Sequence, residues 1–249
     1  NIWSQKYDLN LSANNIFKLQ DEIINSVVDN LVGAGAVLTK DITRRIETKG
    51  PNNLTAYECI NFVRGVARVD STIENHKKAI ACLEKTVKED PGYAEAWQKL
   101  GEEIGWGYAL FGTYKVSDLF MAQEHVGNAI KIDPEDYKAL TNLGLIYFKL
   151  GQFEKSISTF KKVLKLNKSN FSAFVNLGAV YQKKNDLKNA EVNYLEAIKI
   201  NPTSSIVYNN LGNTLKDMNK LYEAEMNYNK ALEIEPNYVK ANQNLKLLL

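Results

Sequence analysis

Three consecutive stretches repeat one pattern at a period of 34 residues: Tyr137–Asn170 (YKALTNLGLIYFKLGQFEKSISTFKKVLKLNKSN), Phe171–Ser204 (FSAFVNLGAVYQKKNDLKNAEVNYLEAIKINPTS) and Ser205–Tyr238 (SIVYNNLGNTLKDMNKLYEAEMNYNKALEIEPNY). Each carries an N-L-G triplet, closed by Leu143-Gly144, Leu177-Gly178 and Leu211-Gly212. Twelve residues past each glycine stands a small residue (Ser156, Ala190, Ala224), and four further on an aromatic (Phe160, Tyr194, Tyr228). Tyr147 and Tyr181 keep the period, as do Val163, Ala197 and Ala231, and Pro202 and Pro236 close the last two units.

The spacing has a direct physical reading. Leu140, Leu143, Gly144 and Tyr147 share one helical stripe, and Phe153, Ile157, Phe160, Val163 and Leu164 share a second, beyond a turn at Lys149–Gln152. Two amphipathic helices joined by so short a turn pack antiparallel. Glycine inside a helix costs about 1 kcal/mol relative to alanine, so Gly144, Gly178 and Gly212 are predicted where the helices approach closely. One hairpin cannot bury its apolar face alone, and stacked hairpins can.

The triplet, the small residue, the aromatic and the closing proline at this period together resemble the tetratricopeptide repeat (TPR). That resemblance implies an all-α, right-handed TPR superhelix of antiparallel helix-turn-helix repeats. It also implies a non-catalytic module that binds a peptide or protein segment in a concave groove lined by the first helices.

Working outward, Val239–Leu249 repeats the start of a first helix and is predicted to cap the array. Leu247-Leu248-Leu249 is unusually apolar for that place, so the chain either continues or docks there. Towards the N-terminus, residues 94–136 open with Trp97, Leu100 and Gly101 and close with Ala129, Ile132 and Pro134, but the unit holds nine extra residues. The excess falls in or near Gly105–Asp118, with Trp106, Tyr108, Phe111 and Tyr114. Either this is a binding element, or it lengthens both helices and packs against the N-terminal helix. Residues 54–93 read as a degenerate hairpin, with a first helix at Thr55–Val69 and a Ser71/Glu74 capping box opening the second. Residues 1–53 read as an extended segment, a helix from Ser12 to about Leu31, and a linker ending in the breaker Gly50–Asn53. The domain plan is therefore 1–53, 54–93, 94–136, 137–170, 171–204, 205–238 and 239–249.

WSQKYD at Trp3–Asp8, NIFKLQDEI at Asn15–Ile23 and LTAYECINFVRG at Leu54–Gly65 resemble the junction preceding TPR arrays in bacterial adenylate-cyclase-like proteins. This resemblance implies a regulatory role for the array in such a protein, although no cyclase catalytic segment occurs here. The chain begins with Asn1, which suggests a processing site or a boundary cut from a longer protein.

The remaining chemistry is sparse. The formal net charge of +2 argues against nucleic acid as main partner, and no apolar run approaches the ~20 residues of a membrane span. Cys59 and Cys82 stand almost level either side of the turn near Asp70, yet two half-buried thiols in a reducing cytoplasm is the simpler expectation. His76 and His125 lack metal-ligand spacing and are expected at the surface or groove edge. The Glu102-Glu103 and Glu223/Glu225 pairs are expected on solvated faces. No P-loop or nucleophile elbow occurs. Catalytic, metal and cofactor sites are therefore not expected.

Charge is uneven. Residues 1–136 hold 15 Lys and Arg against 20 Asp and Glu, while 137–170 hold seven Lys against one Glu. Lys161, Lys162, Lys165 and Lys168 make a basic stripe on the outward side of the second helix, read as a solvated face or a contact for an acidic partner.

The candidate site is the groove. The residue before each leucine of the triplet is Asn142, Asn176, Asn210 and then Asn244. This spacing resembles the asparagine ladder of O-GlcNAc transferase TPR domains, which grips a peptide backbone. One carboxamide can donate to a peptide carbonyl and accept from its N–H. Neighbours on that face are Lys138, Thr141, Leu145, Lys149, Ser172, Val175, Gln182, Lys183, Asn209, Asn213 and Lys216. The competing reading makes the asparagines structural, bonding to neighbouring helices. The partner expected is a protein or peptide, with neither nucleic acid nor membrane insertion, and self-assembly into a homo-oligomeric scaffold stays open.

Overall fold

The computed structural model describes residues 54–65, 72–110 and 115–248. The extended segment, helix and linker expected over 1–53 lie outside those residues, as do the adenylate-cyclase-like motifs before Leu54. Eleven α-helices and no strand occur among the described residues. They are α1 Ala56–Arg64, α2 Ile73–Glu89, α3 Ala94–Leu110, α4 Val116–Ile132, α5 Tyr137–Lys149, α6 Phe153–Leu166, α7 Phe171–Lys183, α8 Leu187–Ile200, α9 Ser205–Asp217, α10 Leu221–Ile234 and α11 Val239–Leu248. The chain divides into two compact units, Asn1–Pro134 and Glu135–Leu249.

In the second unit each hairpin (α5–α6, α7–α8, α9–α10) packs antiparallel, and its second helix packs on the first helix of the next. Glycine and aromatic meet inside every hairpin. A Cβ built on Gly144 would lie 2.8 Å from the Phe160 ring, and one on Gly178 or Gly212 would lie 2.6 Å from the Tyr194 or Tyr228 ring. Those three rings are almost completely buried. The small residue has its own place, since Ser156 Oγ donates to the Gly144 carbonyl at 2.8 Å. Side chains close the helix N-termini: Asp136 accepts from the Lys138 and Ala139 amides, Asn170 from Ala173, and Asp186 from Asn189. The turns between paired helices need one left-handed residue, supplied by Gly151 (φ 71°), Asn185 (φ 62°) and Asn219 (φ 61°). Only glycine and asparagine enter that region readily.

The first unit departs from several expectations. Helix α1 stops at Arg64, with a Thr55/Glu58 capping box, and residues 66–71 lie outside the described part. Helix α2 is capped by Thr72, whose hydroxyl accepts from the Asn75 amide, rather than by Ser71. Cys59 and Cys82 are not free thiols. They form a disulfide with Cα atoms 5.8 Å apart, joining α1 to α2 in the core. The expectation of a reducing compartment, which rested on free thiols, loses that basis. His76 is not at the surface either. It is buried, with Nδ1 3.1 Å from Glu103 Oε2 across the α2–α3 interface. Glu103 is itself buried and Glu102 is bonded to Lys99 at 2.8 Å, so this acidic pair is a packing feature and not a solvated face. Arg64 Nε donates to Glu95 Oε1 at 3.1 Å, tying α1 to α3. A charged group taken out of water pays a desolvation penalty, which a bonded partner of opposite charge offsets in part.

The nine extra residues are distributed. Helices α3 and α4 have 17 residues each, against 13 and 14 in α5 and α6, and the connection takes up the rest. Extra length thus goes mainly into helix. Trp106 is exposed on α3, while the Tyr108 side chain, Phe111 and Tyr114 lie outside the described residues. His125 stacks on Trp97 at 5.5 Å. Burial holds its imidazole below the usual histidine range, against the opposing pull of Glu124 and Glu84.

Candidate functional site: the face of the first helices

In the second unit, α5 touches α7, α7 touches α9, and α9 touches α11, whereas α6, α8 and α10 make no comparable contact with one another. The more closely spaced layer is the inner one, so the first helices form the concave face of this unit. Burial along each helix identifies the open side. Ala139, Ala173, Val207 and Ala241 are buried, while Lys138, Ser172, Ile206 and Lys240, one residue earlier, are exposed. At 100° per residue the asparagine column shares that open side.

Asn142, Asn176, Asn210 and Asn244 are all half-buried on it. Their surroundings differ. Asn244 Nδ2 donates to Asn209 Oδ1 at 2.9 Å, which ties α11 to α9, and Asn209 is 3% exposed. Asn209 Nδ2 reaches Asn210 Oδ1 at 3.5 Å. Asn142 Nδ2 is buried without an acceptor among the described residues. Asn244 is thus bonded to a neighbouring helix, while Asn142 keeps an unbonded amide nitrogen.

The other residues also divide. Gln182 donates to Asp217 Oδ2 at 3.3 Å and accepts from the Tyr194 hydroxyl at 3.4 Å. Asn213 Oδ1 accepts from the Tyr228 hydroxyl at 2.8 Å. Thr141 is turned onto its own helix, donating to the Tyr137 carbonyl at 2.7 Å. Lys138, Lys149 and Lys183 are exposed, Lys216 and Leu145 half-buried. Burial holds the Lys149 ammonium below its usual range, although the residue as a whole is exposed. The polar groups towards the helix C-termini therefore hold neighbouring helices, and the exposed lysines with the half-buried Asn142 and Asn176 line the rest of the face. Reading from sequence missed the Asn209–Asn244 bond, although its separation of 35 residues, one more than the period, was the available signal.

Among the described residues no cluster of His, Cys, Asp and Glu has the arrangement of a metal site, and no helix is long and apolar enough to cross a membrane.

Comparison with known proteins agrees with this geometry. Models described as tetratricopeptide repeat match residues 127–158, 171–204 and 205–238, and one described as TPR repeat matches 144–185. No curated protein matches. A solved structure of MamA is 25% identical, with TM-score 0.56, covering 70% of this chain and 95% of its own. A thermophilic TPR protein of Thermus thermophilus is 20% identical, with TM-score 0.61 and coverage of 76% and 98%. YrrB, described as a TPR protein with an unusual peptide-binding site, is 20% identical, with TM-score 0.56 and coverage of 84% and 99%. The repeats of residues 127–238 are tetratricopeptide repeats, and the fold is all-α of the TPR kind.

Proposed function

We propose, from the TPR fold of this chain, that it is a protein-interaction module whose second unit takes an extended peptide segment along the face of α5, α7, α9 and α11. The observation that carries this reading is the asparagine column itself, four carboxamides at 34-residue intervals on one open face. Asn142, Asn176 and Asn210 are the ligand-side members: Asn142 offers its carboxamide oxygen, Asn176 a donor and an acceptor, and Asn210 its amide nitrogen. Asn244 is committed to Asn209 and fixes α11 at the end of the row. Lys138, Thr141, Leu145, Lys149, Gln182, Lys183, Asn213 and Lys216 border the segment.

The test is selection from a display library of random linear peptides, wild type against the Asn142→Ala/Asn176→Ala/Asn210→Ala triple variant. At ~0.5–1.5 kcal/mol net per carboxamide, the triple change removes a few kcal/mol, over a hundredfold in Kd. Its melting temperature should hold, because alanine is the better helix former. Lys161→Ala with Lys165→Ala, on the second helix, should leave binding unchanged. A melting temperature that falls while peptide selection persists would make the asparagines structural.

A further inference from the structure

The charge of this face, the same site as in the preceding reading and dependent on it, says which peptides it takes. The open side of α5, α7, α9 and α11 carries Lys138, Lys149, Lys183 and Lys240 against one acidic residue, Asp217, whereas α6, α8 and α10 carry seven lysines and six glutamates. The ion pairs follow the same division. Lys184 pairs with Glu154, Lys220 with Glu191 at 3.0 Å, Lys199 with Glu196 at 2.6 Å, and Lys230 with Glu233 at 2.8 Å. Every glutamate in these pairs lies on a second helix. On the first helices, Lys138, Lys183, Lys216 and Lys240 have no carboxylate partner among the described residues. Asp217, the one acid there, accepts from Gln182. A concave face with one sign of charge concentrates potential and draws the opposite sign.

The lysines stand on both sides of the asparagine column along the helix axes. Lys138 and Lys240 stand four residues before Asn142 and Asn244, about 6 Å along the axis at the helical rise. Lys183 stands seven residues after Asn176, about 10 Å, on the same side of its helix, with Asp217 one period further on. A strand lying along the column points successive side chains to opposite sides, and so towards both ends of these helices. We infer that the occupant is an acidic extended segment, its backbone on the asparagines and its Asp or Glu side chains on Lys138, Lys183 and Lys240. Packed helices lie roughly 9 Å apart and a strand rises about 3.3 Å per residue, so each repeat spans about three peptide residues. The segment that fits best carries an acid at about every third position, inside the chain rather than at its C-terminus.

The probe is a fluorescent, C-terminally amidated peptide of about ten residues, with glutamate at every third position in a serine-alanine background. Its controls are the glutamine version and the free-acid version, and binding to the intact chain is read by anisotropy. The glutamate peptide should bind at least roughly tenfold tighter than the glutamine peptide, the size expected from several exposed pairs. The preference should shrink with added salt, and amidation should not matter. Lys138→Glu/Lys183→Glu/Lys240→Glu should abolish the preference with an unchanged melting temperature, while Lys161→Glu/Lys162→Glu/Lys165→Glu should keep it. Equal binding of the glutamate and glutamine peptides, both weakened by the asparagine triple variant, overturns the acidic inference and leaves the groove reading standing. Binding only of the free acid, or equal loss in both lysine variants, also overturns it. If peptides of neither kind bind and the chain instead associates with itself through these lysines, both readings fall.

Discussion

A single missing methyl group decides how close the paired helices come. At Gly178 a Cβ would sit 2.6 Å from a rigid, buried tyrosine ring, and at Gly101 it would sit 2.4 Å from Val126 and 2.8 Å from the Ala122 carbonyl. Neither ring nor backbone can yield cheaply. Gly178→Leu should therefore cost ~1–3 kcal/mol or more by overpacking, and Gly101→Ala should cost as much despite its smaller side chain. Gly127 is the opposite case, because a Cβ there meets nothing within 4 Å. Gly127→Ala should stabilise α4 by up to about 1 kcal/mol, the ordinary helix-propensity difference. Urea midpoints of the three variants check the order, and a Gly178→Leu midpoint at the wild-type value would refute the assigned contact. The turn position behaves differently again. Gly151 sits at φ 71°, so Gly151→Ala should cost ~1–2 kcal/mol, the left-handed penalty for an L-residue, although its Cβ would clash with nothing.

At the level of elements, the second unit is held by a contact that recurs and the first by contacts that occur once. The recurring one is the buried ring on glycine, which makes stability sensitive to alkali. Burial, with Asp217 second, pushes the Tyr228 phenol up to about 12, while an unfolded tyrosine ionises near 10. The unfolded chain thus loses its proton first, so stability present below about pH 10 is lost as pH climbs towards 12. Burial raises Tyr194 in the same sense. Acid acts on the first unit, because His125 is held below the usual range of about 6.5 and the unfolded ring protonates before the folded one. Stability should fall as pH drops through that range, and His125→Gln should flatten the fall in a series of urea midpoints. The Cys59–Cys82 disulfide closes a loop across α1 and α2, for which chain entropy gives about 3 kcal/mol. Reduction, or Cys59→Ala with Cys82→Ala, should lower the melting of Asn1–Pro134 and leave Glu135–Leu249 unchanged. Mass spectrometry finding two alkylatable thiols in the native chain would remove the bond from the account.

For the molecule as a whole, stability is a sum over neighbours, since each hairpin of the second unit buries its face only against the next. Truncation after Asn170 should expose the side of α6 that α7 covers and yield an aggregating product. Truncation after Tyr238 should cost less and stay helical, because α11 covers α10 with one short helix. Lys246 stands exposed where the three repeats have glycine, so a ring packed as Tyr228 packs on Gly212 has no place there. Circular dichroism melts and sedimentation of the two truncations decide this, and a stable isolated 137–170 hairpin would contradict it.

Periodicity let the sequence alone determine a good deal. A 34-residue repeat of leucine, glycine, small residue and aromatic dictates paired helices, their turns and their stacking, because each of those contacts is local or recurs at a fixed offset. It likewise put Asn142, Asn176, Asn210 and Asn244 in one column and the glycines at the tightest approach. The partner of each side chain was decided only in three dimensions. Cys59 with Cys82, His76 with Glu103 and Arg64 with Glu95 join helices of the degenerate first unit, where no repeat register relates one position to another. In the regular unit the offsets are legible, but the choice among them is not. Lys184 meets Glu154 across 30 residues, Lys220 meets Glu191 across 29, and Asn244 meets Asn209 across 35. Long polar side chains have several rotamers within reach of several partners, and the packing of the helices around them selects one. For the same reason the sequence could place a column of amides on the groove, and only the folded chain showed which of them were already bonded to a neighbouring side chain.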